Sequence, residues 1–207
     1  MKGKFITLEG CEGVGKSHQI RLLEEYLKKN QIKYYLTREP GGTPVSEQIR
    51  SVILDGKNVS MTDECEALLY AAARAQLLKE EIKPRLEAGE LVLCDRYIDS
   101  SFAYQGYARG LGVEFIEKIN SFAIQNFMPD YTLFLNLTPE QAFKRKGGVD
   151  KNDRLELSGM EFHQKVYDGY IELSRRYKER FIVIDASGEK QQTHAKIIGA
   201  LKEKGII

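Results

Sequence analysis

A glycine-rich segment near the start of the chain constrains the fold more than any other sequence feature. Residues 10–17 read GCEGVGKS and match the pattern G-x-x-x-x-G-K-[ST]. The apolar run Phe5–Leu8 comes directly before this segment, and the amphipathic stretch Lys16–Asn30 overlaps its end. Glycines let backbone N–H groups turn inward around phosphate oxygens, and the following helix adds its positive end. The segment therefore predicts a strand, a phosphate-binding loop and a helix in succession.

Two side chains of this loop and one later acid predict its chemistry. Lys16 is placed to reach the β- and γ-phosphates of a nucleotide, and the Ser17 hydroxyl to bind Mg²⁺. The apolar run Leu91–Cys94 ends on Asp95, and a carboxylate at that end of a strand can organise the metal. A strand-ending aspartate is also a common cap. Asp95 is therefore interpreted as a metal ligand only because the phosphate loop accompanies it.

Short apolar runs alternate with amphipathic stretches along the chain. The runs that predict strands are Phe5–Leu8, Tyr34–Leu36, Leu91–Cys94, Tyr131–Leu137 and Phe181–Ile184. Buried strands alternating with helices predict an α/β fold of the P-loop NTPase type. We expect a five-stranded, mostly parallel sheet with helices on both faces.

Boundary signals place the helices between these strands. Ile20, Leu23 and Leu27 form one stripe of the first helix. Thr62 is placed to cap a helix that runs to about Lys79. Further signals are a helix end at Gly89, a cap followed by proline at Thr138-Pro139, and a helical period through Val166, Tyr170, Leu173 and Tyr177.

Composition excludes several classes of protein. Lysine and arginine number 31 against 30 acidic residues, and this balance argues against a dedicated nucleic-acid binder. Three cysteines without paired spacing argue against a disulfide framework or a zinc site and favour a reducing compartment. The sequence shows neither a signal peptide nor a membrane span. We expect a cytoplasmic protein with one domain over residues 1–207.

Polar clusters follow the second and third predicted strands. Residues 38–43 read REPGGT and residues 95–106 read DRYIDSSFAYQG, while Tyr70 and Arg74 share one face of the helix between them. Guanidinium groups match phosphate geometry. The arginines able to clamp an anionic substrate are Arg38, Arg50, Arg74 and Arg96. Each arginine alone is also compatible with a surface ion pair, and Tyr70 with a core aromatic.

From about Phe5 to Asp185 the chain resembles the thymidylate kinases. The motifs that carry the resemblance are EGCEGVGKS, REPGGT, AAARAQ, DRYIDSSFAYQGYARG and PDYTLFLN. It implies transfer of the γ-phosphoryl of ATP to dTMP, giving dTDP and ADP, with Mg²⁺ as cofactor and a homodimer as the assembly. The implied ATP-binding residues are Gly10, Cys11, Glu12, Gly13, Val14, Gly15, Lys16, Ser17 and His18.

The resemblance also implies individual roles at the substrate end. Arg96 would bridge the donor and acceptor phosphates, while Arg38 and Arg50 would hold the dTMP phosphate. Tyr70, where the family usually has Phe, would stack on thymine, and Tyr104 would disfavour a ribose. The remaining implied contacts are Arg74, Ser101 and Gln105 to the base, and Glu12 to the 3′-hydroxyl region and the metal. An arginine and an amide are suited to read thymine O4 and N3–H.

A charged insert interrupts the helical pattern at Lys144–Arg154 and resembles the family's mobile lid, at about residues 144–156. Its basic residues are Lys144, Arg145, Lys146, Lys151 and Arg154. Gly13 stands where eukaryotic-type members carry an arginine, so a basic lid of the bacterial type is implied. Arg145 and Arg154 are then the candidates to neutralise charge during transfer. Charge runs are otherwise usually solvated loops.

One residue departs from the family pattern, and two other functions are compatible with the sequence. His18 replaces the second Ser or Thr that the family usually carries after Ser17, which bears on ATP affinity. Another deoxynucleoside or nucleotide kinase would differ in its acceptor. A nucleotide-binding regulatory protein would hydrolyse without an acceptor, and as a GTPase it would carry Asn-Lys-x-Asp, which this chain lacks.

Overall fold

The computed structural model describes residues 3–124, 127–147 and 154–207, in which the strands build a parallel sheet of five. The strands are β1 Phe5–Glu9, β2 Tyr34–Arg38, β3 Leu91–Asp95, β4 Tyr131–Asn136 and β5 Phe181–Asp185. Their order is β2-β3-β1-β4-β5, and each neighbouring pair is parallel. The predicted α/β class and five-stranded sheet are confirmed.

Helices occupy most of the remaining described chain. They are α1 Lys16–Lys29, α2 Pro44–Leu54, α3 Asp63–Leu77, α4 Lys83–Glu87, α5 Ile98–Ser101, α6 Val113–Ile124, α7 Pro139–Lys146, α8 Gly159–Arg176 and α9 Lys190–Glu203. Two π-helical segments, Leu78–Ile82 and Phe102–Ala108, and a 3₁₀ turn at Glu156–Ser158 join some of them. Tyr177, expected on the last helical stripe, lies one residue beyond α8.

The centre of the sheet forms the core. Every residue of β1 is buried, because β3 and β4 flank it and helices cover the sheet. Ile20, Leu23 and Leu27 bury the predicted stripe of α1. Burial of such aliphatic side chains stabilises the fold by about 1.5–3 kcal/mol each. The loop between β1 and α1 is therefore anchored on both sides.

The predicted caps are present, but the helix that starts after Thr62 differs from expectation. Thr62 accepts a hydrogen bond from the Cys65 N–H, as a cap should. Regular α-helix ends at Leu77, two residues early, and the chain stays helical through the π-turn and α4. Pro84 supplies the reason, since its ring would clash with the Glu80 carbonyl in a regular α-helix.

Three adjacent strands deliver polar side chains to one edge of the sheet. β1 ends on Glu9, β2 on Arg38 and β3 on Asp95. β2 is longer than predicted because Thr37 and Arg38 pair in register with Cys94 and Asp95. The carboxyl edge of a parallel sheet, near the point where strand order reverses, is where ligands bind in such folds.

Candidate active site

The glycine-rich loop folds tightly over its own lysine. Gly13 has φ 77°, and a Cβ at this position would lie 2.7 Å from the Ala142 carbonyl oxygen. Both observations require glycine. Lys16 is buried, and its Nζ donates hydrogen bonds of 3.0 Å to the carbonyl oxygens of Gly10 and Cys11. The ammonium group is thereby held inside the loop.

Burial sets the protonation chemistry of this loop. It lowers the pKa of Lys16, and the nearby Arg96 charge lowers that pKa further. Burial raises the pKa of the Cys11 thiol to about 12, so this cysteine stays protonated and is no nucleophile. The His18 ring lines the cleft, and its Nε2 is buried without a hydrogen-bond partner among the described residues.

Arg96 lies at the centre of the site. Its backbone is left-handed, with φ 70°, an uncommon conformation for a residue other than glycine. The guanidinium Nη1 donates to the Gly10 carbonyl oxygen at 3.0 Å and to the Ser100 hydroxyl at 3.1 Å, while Nη2 pairs with Glu12. Tyr104 lies beneath, with its ring centroid 5.2 Å from the guanidinium carbon. This arginine is therefore oriented from several sides.

The Glu12 carboxylate stays ionised beside this arginine. Burial raises the pKa of Glu12, but the charges of Arg96 and then Lys16 outweigh burial and bring that pKa down to about 2. The loop thus carries a permanent negative charge between two cations. Such a carboxylate can orient neighbouring cations and accept hydrogen bonds from hydroxyl groups.

A second carboxylate, Glu9, lies behind Arg96. It is fully buried and accepts hydrogen bonds from the Tyr97 N–H, the Ser100 hydroxyl and the Tyr170 hydroxyl, at 2.7–2.8 Å. Burial, followed by the nearby charge of Asp99, raises the pKa of Glu9 to about 7. Ser100 and Tyr170 also accept from Arg96, so the two hydroxyls connect Glu9 to the guanidinium.

Asp95 and Ser17 fit a magnesium ion. Both line the cleft, and Asp95 Oδ1 is buried without a hydrogen-bond partner among the described residues. A carboxylate oxygen without a hydrogen-bond partner and a hydroxyl oxygen in the same cleft are ligands of the kind that Mg²⁺ prefers. Within the described ranges no cluster of three or more metal-binding side chains exists. In proteins Mg²⁺ is usually held by one or two protein groups together with substrate phosphates.

Arg38 and Arg50 enter the cleft from β2 and α2. Arg38 Nη2 donates to both carboxylate oxygens of Glu47 at 2.9 Å, and Glu47 also accepts from the Gly42 N–H. Arg50 Nη1 donates to the Pro40 carbonyl oxygen at 2.8 Å. Both arginines line the cleft and keep donors for an anion.

Arg74, on α3, also lines the cleft and is only 1% exposed. Its guanidinium pairs with Glu39 at 2.6 Å and donates to Asn120 Oδ1 at 2.6 Å and to the Ser101 hydroxyl at 3.0 Å. Burial raises the pKa of Glu39 to about 7, although the Arg74 charge acts against this rise. The predicted base-reading arginine is thus rigidly held.

Most of the other predicted base and sugar contacts line the same cleft as Arg74. Tyr70, Tyr104 and Gln105 line the cleft with it. Ser101 is not one of the residues that line the cleft, whereas the adjacent Ser100 is, and the Ser101 hydroxyl accepts from Arg74. Ser101 therefore contacts the cleft through the arginine.

The basic residues of the insert divide between two places. Arg145 lines the cleft and donates to the carbonyl oxygens of Ala186, Ser187 and Gly188. Arg154 is 8% exposed and donates to the Ile53 carbonyl oxygen and to Glu66.

The insert also contains three lysines. Lys146 lines the cleft, whereas Lys144 is exposed at the surface. Lys151 lies outside the described residues. Arg145 thus lines the same cleft as the phosphate loop, while Arg154 is held on α2 and α3.

Sequence reasoning missed the carboxylates that position these groups. Glu39 lies in the REPGGT segment but received no role, although a buried arginine requires a partner. Glu66 lies four and eight residues before Tyr70 and Arg74, so all three share one face of α3. This helical spacing is the sequence feature that could have identified Glu66 as a residue of the site. Glu9 carried no signal beyond its position at the end of a strand.

One continuous cleft of about 490 Å³ joins these parts. The glycine-rich loop with Lys16 and Arg145 lines this cleft, and so do Tyr70 and Gln105. Arg96 contacts the loop at Gly10 and also the Tyr104 hydroxyl. A cleft that combines several cations with polar and aromatic side chains suits two nucleotides facing each other through their phosphates. Among the described residues, no helix is both long enough and apolar enough to cross a membrane.

Comparisons with known proteins agree with this geometry. The thymidylate kinase family model matches residues 8–197. A thymidylate kinase of Thermoanaerobacter sp. (strain X514) is 47% identical over 203 residues, covering 98% of this chain and 99% of the relative. That of Clostridium novyi (strain NT) is 48% identical, covering 97% and 99%.

A solved structure agrees as well. The crystal structure of thymidylate kinase from Ehrlichia chaffeensis has a TM-score of 0.78 and 32% identity, covering 98% of this chain and 99% of that one. Sequence, fold and cleft therefore lead to one assignment, confirming the resemblance read from the motifs. The chain belongs to the thymidylate kinase family, enzymes that phosphorylate dTMP to dTDP with ATP.

Proposed function

We propose that dTMP and ATP meet at Arg96, with ATP on the glycine-rich loop and dTMP at the Arg74 end. The observation that supports this most directly is that the glycine-rich loop, Arg96 and Arg74 line one cleft, with Arg96 bonded to the loop at Gly10. The dTMP phosphate is already an anionic nucleophile, so no general base is required. Catalysis then rests on in-line positioning and neutralisation of charge.

On the ATP side, Lys16 stabilises the transferring phosphoryl group, exchanging its contacts to Gly10 and Cys11 for phosphate oxygens. Ser17 and Asp95 hold Mg²⁺, which neutralises phosphate charge when bound. The orphaned Asp95 oxygen supports this assignment. The loop residues Gly10–His18 form the ATP cradle.

On the dTMP side, Arg38 and Arg50 hold the phosphate, and Tyr70 stacks on thymine. Arg74 donates to thymine O4, and the Gln105 amide oxygen accepts from N3–H, with Ser101 acting through Arg74. Tyr104 closes the space beside C2′ of the sugar. Glu12 is near Tyr104 and Arg96, which supports its proposed contact to the 3′-hydroxyl region and the metal.

We propose a single domain over residues 1–207 whose lid, at about residues 144–156, closes over the phosphates and excludes water. Arg145 is our candidate for late charge neutralisation, since it lines the cleft in this structure. Arg154 would have to leave Glu66 to do so. Its buried contacts favour anchoring of the insert instead.

A homodimer and a cytoplasmic location complete the proposal. α2 and α3 are neighbours and α3 packs on α6, and these helices expose Val52, Leu68 and Phe122, the last with 79% of its surface accessible. Apolar side chains exposed side by side favour an interface. The cysteines form no disulfide, which fits a reducing compartment. Light scattering of Phe122→Asp should report a monomer where the parent chain reports a dimer.

A coupled ADP-release assay with ATP and Mg²⁺ tests the acceptor. We expect dTMP to be used well, and thymidine, AMP and CMP poorly, with dUMP as the comparison that measures the 5-methyl contribution. Efficient AMP turnover with inert dTMP would contradict the proposal. ATP hydrolysis that is independent of any acceptor would point to the regulatory class instead.

A further inference from the structure

Glu66, in the first turn of α3, is completely buried behind the base end of the cleft. Its Oε1 accepts a hydrogen bond from Gln105 Nε2 at 2.7 Å. Its Oε2 accepts from Arg109 Nη2 at 3.1 Å and from Arg154 Nη2 at 2.5 Å. Two guanidinium groups thus contact this carboxylate, and a carboxylate only accepts hydrogen bonds.

This carboxylate decides which way the Gln105 amide faces. The nitrogen of that amide has to face Glu66, because the reversed amide would place its carbonyl oxygen against a carboxylate. Gln105 is 1% exposed and lines the cleft. Among the described residues nothing donates a hydrogen bond to Gln105 Oε1. The amide oxygen is therefore available to accept from a base in the cleft.

The hydrogen-bonding character of N3 distinguishes the pyrimidine bases. Thymine presents a donor at N3, whereas cytosine presents an acceptor there. We propose that Glu66 is a specificity-determining positioning residue, which holds the Gln105 amide so that the pocket accepts an N3–H and rejects an N3 lone pair. The inference deepens the proposed function and rests on Gln105 as a contact to the base. A site built to pair one polar group rejects a base that leaves it unpaired.

The test is the ratio of kcat/KM for dTMP to kcat/KM for 5-methyl-dCMP, two nucleotides alike in shape. In Glu66→Gln the neighbouring amide can donate as well as accept, so Gln105 is no longer fixed. We expect the ratio to fall by about 10- to 100-fold, through lower dTMP and higher 5-methyl-dCMP efficiency. Arg74 is unchanged in both proteins, so its contribution cancels in the comparison.

Arg109→Gln is the matched control. It removes one partner of Glu66 but leaves the Gln105 contact, so thermal stability should fall while the ratio stays within about two-fold of the parent value. If Glu66→Gln does not fold, Glu66→Asp keeps the charge and withdraws the acceptor by one methylene. That variant should also lower the ratio.

Gln105→Leu tests the contact of Gln105 to the base separately from the positioning of Gln105 by Glu66. A ratio unaffected by Gln105→Leu overturns the proposed role of Gln105. A ratio that collapses in Gln105→Leu but is retained in both Glu66 variants overturns the role of Glu66 alone.

Discussion

The cleft has a proposed phosphate end around Lys16 and Arg145 and a proposed base end around Arg74 and Gln105, and the side chains of these two ends have different hydrogen-bond partners. At the phosphate end, Lys16 and Arg145 are bonded to backbone carbonyl oxygens, which a phosphate can replace. At the base end, Arg74 and Gln105 are bonded to the buried carboxylates of Glu39 and Glu66. The first set is poised to change partners, whereas the second is held in one orientation.

This difference matches what each end has to do. Phosphoryl transfer needs cations that follow charge as it develops, whereas base recognition needs donors and acceptors with fixed directions. Substitutions at the phosphate end should therefore change rate without changing stability. Substitutions at the base end should change stability and selectivity together.

The largest effect is expected at Lys16. Lys16→Met keeps the aliphatic stem but removes the charge, and we expect kcat to fall by at least about 10³-fold. The free energy of unfolding should change by less than about 1 kcal/mol, because the loop carbonyls can bind water. Steady-state kinetics and urea denaturation measure both quantities. An active variant, or an unfolded one, contradicts the contrast between the two ends.

Arg74→Ala should show the opposite pattern. It leaves the Glu39 carboxylate buried without its partner, so we expect a loss of about 3–5 kcal/mol in the free energy of unfolding, together with weaker dTMP binding. Arg74→Lys, which keeps the charge but not the planar fork, should recover only part of this loss. Denaturation and calorimetry with dTMP measure the outcome. Unchanged stability would mean that the base end is not rigidly held.

The two arginines of the insert sharpen the comparison within one segment. We expect Arg145→Ala and Arg154→Ala each to lower kcat, and Arg145→Ala by more than about 100-fold, with dTMP affinity nearly unchanged. Arg154→Ala should also lower the free energy of unfolding by about 1–3 kcal/mol, since Glu66 loses a partner. If neither variant slows turnover by more than a few-fold, Arg38 becomes the next candidate for the catalytic cation.

The smallest effect is expected at Tyr104, between the two ends. Tyr104→Ala should lower the preference for dTMP over ribothymidine monophosphate by about 10-fold, because the ring no longer fills the space beside C2′. Tyr104→Phe keeps the ring and should keep most of the preference. The ratio of kcat/KM values for the two nucleotides decides the matter. If the alanine variant has the same ratio as the parent protein, Tyr104 acts only in packing.

Contiguous motifs were predictable, and paired distant residues were not. The loop, β1 and the stripe of α1 lie within one stretch of sequence and follow local rules, so their positions were predicted within one or two residues. The π-turn before Pro84 was not expected, because apolar periodicity does not report a change of helix type. The ion pair between Arg74 and Glu39 joins residues 35 positions apart, which no local pattern reports.

The sequence by itself determined the family, the phosphate loop and the identities of the cationic residues, because each depends on residue types at short fixed spacings. Only the tertiary structure decided which carboxylate faces which cation. Arg154 was expected at the phosphates and lies on Glu66, and Ser101 was expected at the base and lies behind Arg74. Burial makes such pairings strong and directional, and burial is a property of the packed chain.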